Sequence, residues 1–295
     1  MNSGEPTSAD AAGATDATDL AAWRDNAATW IAHSERTAAM TRGASDALVQ
    51  ALAPAPGQRL LDVACGSGDP ALRLARVVGA HGHVLATDGI AEMLDALGRA
   101  ASEAGLPWLH TRLAAAEDLA FEARDFDAAG CRFGAMFFAD PRRALHNMSR
   151  AVRPAGRLAA VVWGPPEANP YFTLTASVLD ELQAPALPAG KTVFELADAA
   201  RLAALAADAG WRSVDVLRVP FAMALPDVTP DTLLEAHRSL SGKVARRLEG
   251  LAEFAGARAV ERAAERVALR AAPYATPDGL VLPAECLVVQ GRAGD

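Results

Sequence analysis

The stretch between Leu61 and Asp88 constrains the fold of this chain more than any other part of its sequence. A short apolar run, RLLDVAC, closes in the turn Gly66-Ser67-Gly68, and the apolar spacing that follows predicts a helix over Ala71–Val78. A second apolar run, HVLATD, ends at Asp88. A strand, a tight glycine turn, a helix and another strand form a βαβ unit, whose two strands lie parallel in one sheet.

The same alternation continues along the chain. The pattern predicts helices over Ile90–Ala104 and Pro141–Val152, and strands over Trp108–Leu113, Phe126–Phe133 and Arg157–Trp163. Strands that alternate with helices build a parallel sheet covered on both faces, so we expect a doubly wound α/β fold. The last predicted strand is Gly279–Gly291, in which Pro283 indicates a bulge or a sheet edge.

Composition excludes several classes of function. The 295 residues carry a formal net charge of −8, which disfavours a nucleic-acid partner because that affinity depends on neutralising phosphates. The sequence has no apolar stretch long enough to span a membrane and no signal-peptide pattern at its start. The cysteines Cys65, Cys131 and Cys286 are scattered, so we expect no metal site and a reduced, cytoplasmic location.

The glycine turn and Asp88 predict a nucleoside-containing ligand at the carboxyl edge of the sheet. Glycines allow the backbone to approach a ligand closely, and an acidic residue at the end of the second strand can accept both ribose hydroxyls. Asp88 could instead cap the helix that begins near Ile90. Asp62 and Asp69 place negative charge where a dinucleotide would bring its pyrophosphate, which favours a cationic ligand such as S-adenosylmethionine over NAD.

Five segments in this order resemble the class I S-adenosylmethionine-dependent methyltransferases, in particular the group of quinone-ring C-methyltransferases and natural-product methyltransferases. They are LLDVACGSGDPALRLA, HVLATDGIAEML, AAEDLAF, FDAAGCRFGAMFF and ALHNMSRAVRPAGRLAAVVWG. The resemblance covers roughly residues 20–165 and the last strand. It implies S-adenosylmethionine as cofactor and a mostly parallel sheet of seven strands, the last one antiparallel.

The resemblance also implies a set of cofactor-binding residues. Asp62, Ala64, Gly66 and Gly68 would line the methionyl half, Asp88 and Gly89 the ribose, Met93, Ala116 and Glu117 the adenine, and Arg132 and Phe133 the methionyl end. The sequence departs from the family at two positions. Ala64 replaces a commoner glycine, and Ala115 stands where an aspartate usually binds the adenine amine.

Apolar and aromatic residues near the predicted strand ends suggest a pocket for the acceptor. Trp30, Met136, Phe137, Trp163 and Tyr171 would form its walls together with Phe133, although core packing explains some of them. His33 and His237 are candidates for a general base because their ordinary pKa lies near neutral pH. Each could equally be a solvated histidine on a helix.

We therefore expect methyl transfer from S-adenosylmethionine to a small, largely apolar acceptor, by a monomer or a homodimer. The alternative is a cofactor-binding member of the fold that catalyses a non-methylating step or acts as a regulatory module. The expected segments are a disordered tail over residues 1–18, a helical lid over 19–53, a cofactor-binding core over 54–165, and substrate-side helical insertions with the last two strands over 166–295.

Overall fold

A computed structural model of the chain describes residues 21, 23–121, 124–188 and 190–294. The tail expected over residues 1–18 lies outside this described part. The strands are β1 (Arg59–Val63), β2 (His83–Asp88), β3 (Leu109–Leu113), β4 (Phe126–Arg132), β5 (Val152–Trp163), β6 (Trp211–Pro226), β7 (Ala275–Thr276) and β8 (Gly279–Ala293).

Helices precede, connect and follow these strands. They are α1 (residues 23–32), α2 (Ser34–Met40), α3 (Arg42–Leu52), α4 (Ala71–Val78), α5 (Ala91–Glu103), α6 (Pro141–Ala151), α7 (Pro170–Glu181), α8 (Ala199–Asp208), α9 (Leu233–Leu240), α10 (Gly242–Ala255) and α11 (Ala257–Ala271). The bounds of α4 and β2 are those that the sequence predicts. Ser241 separates α9 from α10, and Gly256, which has a left-handed φ of 79°, separates α10 from α11.

The sheet has the strand order β3-β2-β1-β4-β5-β8-β6. Strands β1 to β5 pair in parallel, and β8 lies antiparallel between β5 and β6. The expected doubly wound, mostly parallel fold is therefore confirmed. The two-residue strand β7 pairs with β8 and adds an eighth strand to the seven expected.

Two prolines mark irregular places in this sheet. The first is Pro283 in β8. The pairing of β8 with β5 runs from Cys286 to Arg292, so Pro283 lies beyond the end of β5 and pairs on one side only, with β6. Pro283 is therefore at a local edge of the sheet. The second is Pro154, which lies in a bulged part of β5. The strand begins at Val152, and its register with β4 shifts before it continues to Trp163.

Helices cover both faces of the sheet. α3, α4 and α5 pack on one face through Leu48, Leu74 and Leu97, and α6 and α8 pack on the other through Leu145 and Leu202. The segment 19–53, expected as a lid, thus contains a helix, α3, that belongs to the core layer, and α2 also contributes Met40 to a main core cluster. The helices α7, α9, α10 and α11 join the second face.

Candidate cofactor site at the carboxyl edge of the sheet

The turn after β1 is built from left-handed residues. Ala64, Gly66 and Gly68 have φ values of 55°, 54° and 128°. Glycine takes such angles freely, whereas an alanine there costs about 1 kcal/mol. Gly134, after β4, makes room for Ala64, because a Cβ at Gly134 would lie 2.6 Å from the Ala64 Cβ. Sequence reasoning missed Gly134, although its place after a predicted strand was a usable signal.

Asp62 presents a buried carboxylate without a partner. The side chain is 0% exposed, and neither of its oxygens accepts a hydrogen bond from the described residues. Burial raises the pKa of Asp62 to about 8. The nearby Arg132 lowers this pKa, Asp69 and Asp88 raise it further, and the Ala71 N–H, which lies close to the carboxyl group but outside hydrogen-bonding geometry, lowers it slightly. A buried carboxylate is costly unless a cation or a donor compensates it. A ligand that brings an ammonium group would meet this need.

Asp69 has a different role from the one that its sequence position suggests. Its Oδ1 lies 2.7 Å from Arg73 Nε, and its Oδ2 accepts a hydrogen bond of 2.7 Å from Ser45 Oγ. Arg132 Nη2 lies 3.9 Å from Oδ2. Asp69 is therefore neutralised within the protein, and the argument for a cationic ligand rests on Asp62 alone.

Asp88 connects the two turns at the carboxyl edge. Its Oδ2 accepts a hydrogen bond of 2.9 Å from the Gly66 N–H, and its Oδ1 accepts one of 3.0 Å from the Ile90 N–H. Burial raises the pKa of Asp88, and the bonds from Gly66, Ile90 and Gly89 oppose this rise. Each oxygen keeps a further lone pair for a ligand hydroxyl. The bond to Ile90 makes Asp88 part of the turn before α5, so the structural and binding roles coexist.

The predicted adenine side is a shelf covered by α1. Met93 and Ile90 are buried with Ala27 of α1, and Trp23 and Trp30 pack against the same cluster. Ala116 and Glu117, also predicted for the adenine, are buried in a short 3₁₀ turn. Asn147 Nδ2 fixes that turn by donating to both of their carbonyls, at 3.1 and 2.8 Å. Sequence reasoning missed Asn147, since it lies about thirty residues further along the chain.

Helix α1 reaches across the carboxyl edge. The Trp23 ring lies 5.5 Å from Trp30 and 5.1 Å from Phe137, which follows β4. Asn26 approaches the start of α10, since its Oδ1 would lie 3.7 Å from a Cβ at Gly242. We call α1 with its three contact regions, the Met93 shelf, Phe137 and Gly242, the roof.

Arg132 joins the junction of α2 and α3 to the glycine turn. Its Nη1 donates to Thr41 Oγ1 at 2.8 Å, and its Nη2 donates to the Asp69 carbonyl at 2.6 Å. Its guanidinium lies 5.3 Å from the centre of the Phe133 ring. Thr41 lies between α2 and α3, so this arginine holds three separate segments together.

Aromatic rings line the end of the sheet beyond Phe133, and we call them the aromatic wall. Phe133 has a left-handed φ of 59° and stacks on Trp163 with 4.1 Å between ring centres. Trp163 contacts Phe172 at 4.9 Å, and Phe172 contacts Tyr171 at 5.1 Å and Phe194 at 5.7 Å. Sequence reasoning found the first, second and fourth of these five rings.

The residues predicted for the acceptor pocket therefore divide into two groups. Trp163 and Tyr171 belong to the aromatic wall, whereas Trp30 and Phe137 lie with the roof. Met136 is buried in the same core cluster as Trp163. A role of either group in binding an acceptor stays a prediction.

The two candidate bases have different surroundings. His237 on α9 is 5% exposed, its Nδ1 lies 3.1 Å from Thr175 Oγ1, and burial lowers its pKa to about 4. It is therefore a buried histidine rather than a solvated one. His33 is half-buried between α1 and α2, and its carbonyl accepts a hydrogen bond from Thr37 Oγ1. A role as base stays a prediction for both.

Comparison with known proteins places this site in a family context. Residues 42–179 match the model of the ubiE/COQ5 methyltransferase family. A 2-phytyl-1,4-naphtoquinone methyltransferase of Trichormus variabilis is 36% identical over 131 residues, which cover 44% of this chain and 57% of that protein. The chain thus spans little more than half the length of this curated relative.

Solved structures resemble the chain over most of its length. The YcgJ protein of Bacillus subtilis superposes with a TM-score of 0.54 at 16% identity, covering 86% of this chain and 99% of its own. A phosphoethanolamine N-methyltransferase of Haemonchus contortus, in complex with S-adenosylhomocysteine, has a TM-score of 0.50 at 16% identity and covers 85% of this chain and 52% of its own. No described helix is both long and apolar enough to cross a membrane.

Proposed function

We propose that this chain, whose fold and sequence motifs are those of the class I S-adenosylmethionine-dependent methyltransferases, transfers a methyl group from S-adenosylmethionine to a small, largely apolar acceptor. The observation that carries the proposal is the fully buried carboxylate of Asp62, which has no partner among the described residues. It lies at the end of β1, directly before the left-handed glycine turn. Such a carboxylate is expected where a positively charged ligand binds.

The residues at the carboxyl edge fit the parts of this cofactor. Asp62 would hold the α-amino group, and the free lone pairs of Asp88 would accept the ribose hydroxyls. Met93 would lie against the adenine, with Ala116 and Glu117 at its edge. When bound, S-adenosylmethionine supplies a methyl group that its sulfonium already activates.

The protein therefore has to align the acceptor and exclude water rather than activate the methyl group. In this proposal, Trp23 of the roof and Phe133 and Trp163 of the aromatic wall would supply apolar surface to the acceptor. The relative from Trichormus variabilis is named for a phytyl naphthoquinone. A planar, apolar ring of that kind suits a wall made of aromatic side chains.

We place the reaction in the cytoplasm and without a nucleic-acid partner. The three cysteines are free and buried, which suits a reducing compartment, and the chain carries a net charge of −8. Analytical ultracentrifugation distinguishes a monomer from a homodimer.

Calorimetry and product analysis test the proposed function. S-adenosylhomocysteine should bind with a Kd in the micromolar range, about −7 to −9 kcal/mol, and NAD far more weakly. Incubation with S-adenosylmethionine and naphthohydroquinones should yield S-adenosylhomocysteine only when an acceptor is present. Tighter binding of NAD would exclude the cofactor assignment. Cofactor binding with conversion of a substrate but no S-adenosylhomocysteine would favour the non-methylating alternative.

A further inference from the structure

An open groove on the protein surface lies between helices α3 and α4. Its volume is about 530 Å³, which is within the range of sites that bind small molecules. None of the residues that line it is assigned to the cofactor or to the acceptor. Four of them belong to α3 and two to α4: Arg42, Asp46, Val49, Gln50, Arg73 and Arg76.

The groove is positively charged in a chain that is acidic as a whole. Its three arginines and one aspartate give it a formal charge of +2, whereas the chain carries −8. Residues three or four positions apart share one face of a helix, so Arg42 and Asp46 line the groove from α3, and Arg73 and Arg76 line it from α4. Like charges held close together repel each other, and a bound anion would relieve this repulsion.

Arg73 is held in place by two carboxylates. Its Nη1 pairs with Asp46, and its Nε lies 2.7 Å from Asp69 Oδ1. Asp69 is itself fixed by Ser45 Oγ, which donates to its Oδ2 at 2.7 Å. These contacts use Nη1 and Nε of Arg73, and they leave Nη2 as a donor without a partner in the described part of the chain. A guanidinium that is already oriented loses less conformational freedom when it binds an anion.

Arg42 and Arg76 supply the positive charge that the protein does not neutralise. Both side chains are exposed, and neither forms an ion pair or a hydrogen bond with the residues that the structure describes. Guanidinium groups bind phosphate and carboxylate oxygens through paired N–H donors. Because the two arginines belong to different helices, an anion with two linked charged groups can engage both at once, whereas a single small anion would satisfy only one of them.

We propose that the groove between α3 and α4 binds a diphosphate group, either as free pyrophosphate or as part of a small organic molecule. Arg42 and Arg76 bind its two phosphates, and Arg73 donates to it from a fixed position. The charge of the diphosphate complements that of the groove, and the volume leaves space beside Val49 for an organic part. The inference does not rest on the proposed function, because the groove shares no residue with the cofactor site.

Calorimetry of the full chain with inorganic pyrophosphate tests this site. In buffers of equal ionic strength without divalent cations, pyrophosphate should bind once per chain and at least about tenfold more tightly than orthophosphate, because it engages two arginines. Saturation of the chain with S-adenosylhomocysteine should leave this affinity unchanged. On the saturated chain, tighter binding of uridine diphosphate than of pyrophosphate would indicate an organic diphosphate as the ligand, and the reverse order would indicate the free anion.

Substitutions in the groove should change the affinity for pyrophosphate in opposite directions. Arg42→Gln and Arg76→Gln should each weaken binding at least about fivefold, since each removes one charged donor. Asp46→Asn should strengthen binding, because it removes the negative charge of the groove and keeps an oxygen for Arg73. Arg99→Gln, at an exposed arginine on α5, is the matched control and should have no effect.

Three outcomes would overturn the proposal. They are equal affinities for pyrophosphate and orthophosphate, equal effects of Arg99→Gln and the two arginine variants of the groove, and loss of pyrophosphate binding when S-adenosylhomocysteine saturates the chain. The first two would show general attraction between charges, and the third would place the anion in the cofactor site. A chain that binds pyrophosphate as expected but does not bind S-adenosylhomocysteine would refute the proposed function alone.

Discussion

Asp62 links the charge of the site to the stability of the fold. Its pKa is raised from 3.8 to about 8, foremost by burial, so the folded chain keeps the proton through neutral pH while the unfolded chain loses it near pH 4. Its contribution to stability is therefore complete below pH 3.8 and is lost as the pH rises towards 8. A cationic ligand would favour the ionised form and release this proton.

Asp62→Asn should accordingly stabilise the cofactor-free chain, and the gain in free energy of unfolding should grow between pH 4 and pH 8. The same change should weaken S-adenosylhomocysteine binding by about 1.5–3 kcal/mol, the value of a charge-assisted hydrogen bond. Denaturant unfolding and calorimetry in buffers of different ionisation enthalpy provide the measurements. The wild type should release on the order of one proton at pH 7, and the variant none. Equal proton release in both would exclude Asp62 as the group involved.

Asp88 carries both a structural and a binding role, and two substitutions separate them. Asp88→Ala leaves the Gly66 and Ile90 amides unpaired, so it should lose about 1–3 kcal/mol of stability and about 1.5–3 kcal/mol of cofactor affinity. Asp88→Asn keeps an acceptor oxygen and should retain more stability while losing affinity. Thermal unfolding and calorimetry give both quantities, with exposed Asp95→Ala as control. Full affinity in a destabilised Asp88→Ala would leave Asp88 as part of the turn only.

The contact between Ala64 and Gly134 predicts an energetic coupling of the β1 and β4 ends. A Cβ at Gly134 would lie 2.6 Å from the Ala64 Cβ and 2.9 Å from Cys131 Sγ. Gly134→Ala should therefore destabilise the chain by about 1–3 kcal/mol. Ala64→Gly should recover part of this loss, because it removes the first contact but not the second.

A double-mutant cycle from denaturant unfolding measures the coupling between Ala64 and Gly134. Gly98→Ala is the matched control, since an added Cβ there meets nothing within 4 Å and lies in α5. It should be neutral or slightly stabilising. If the effects of Gly134→Ala and Ala64→Gly on the free energy of unfolding are strictly additive, the contact between the two residues contributes no coupling energy.

At the scale of elements, the roof should affect turnover more than stability. Trp23 and Trp30 pack against a small cluster separate from the two main cores, and Trp23 also contacts Phe137 at the margin of one main core. Trp23→Ala should lower kcat/KM at least about tenfold, because alignment worth about 1.4 kcal/mol is lost, and should leave the unfolding midpoint nearly unchanged. Phe254→Ala, at an aromatic side chain 71% exposed on α10, is the control. Equal activity of the two variants would contradict the role of the roof.

Elements with a strong local pattern were predictable from the sequence, and those that depend on distant partners were not. α4 and β2 have the predicted bounds because the spacing of their apolar residues agrees with the residues that begin and end each element. β7 has only two residues and exists through its pairing with β8. α3 has an apolar stripe like any lid helix, and the stripe does not tell which surface it covers.

The same limit holds within the site. The position of the acidic residues at the turns could be predicted from their spacing in the sequence, and so could the presence of aromatic residues at the strand ends. The neutralisation of Asp69 could not, because Ser45 and Arg132 approach it from α3 and β4. The buried hydrogen bond of His237 could not be foreseen either, because its partner Thr175 lies 62 positions away in the chain.

At the scale of the whole molecule, the end of the chain completes the sheet begun by the first half. β8 covers the edge of β5, where Leu158, Val161 and Val162 are fully buried, and Trp211 Nε1 donates to the Leu145 carbonyl of α6. Residues 42–179, which match the family model, therefore contain β5 but not β8, its neighbour in the sheet.

A fragment ending at residue 195 should consequently lack a cooperative unfolding transition and should aggregate through the exposed edge of β5. Thermal unfolding by circular dichroism and the soluble fraction after expression measure this. The full chain, and a co-expressed fragment of residues 196–295, serve as comparisons, and the second should restore solubility. If the fragment ending at residue 195 is soluble and unfolds at the same temperature as the full chain, the sheet is stable without β8.

The roof touches both the Met93 shelf and the neighbourhood of Gly242, and this has a kinetic consequence. If the proposed function holds and α1 covers the site, the spent cofactor and the methylated product would both need α1 to move before they could leave. Their departures would then not be independent events, and the rate at which α1 moves would set an upper limit on turnover, however fast the chemical step is. Raising the viscosity of the solvent should then slow kcat for good and poor acceptors towards a common value.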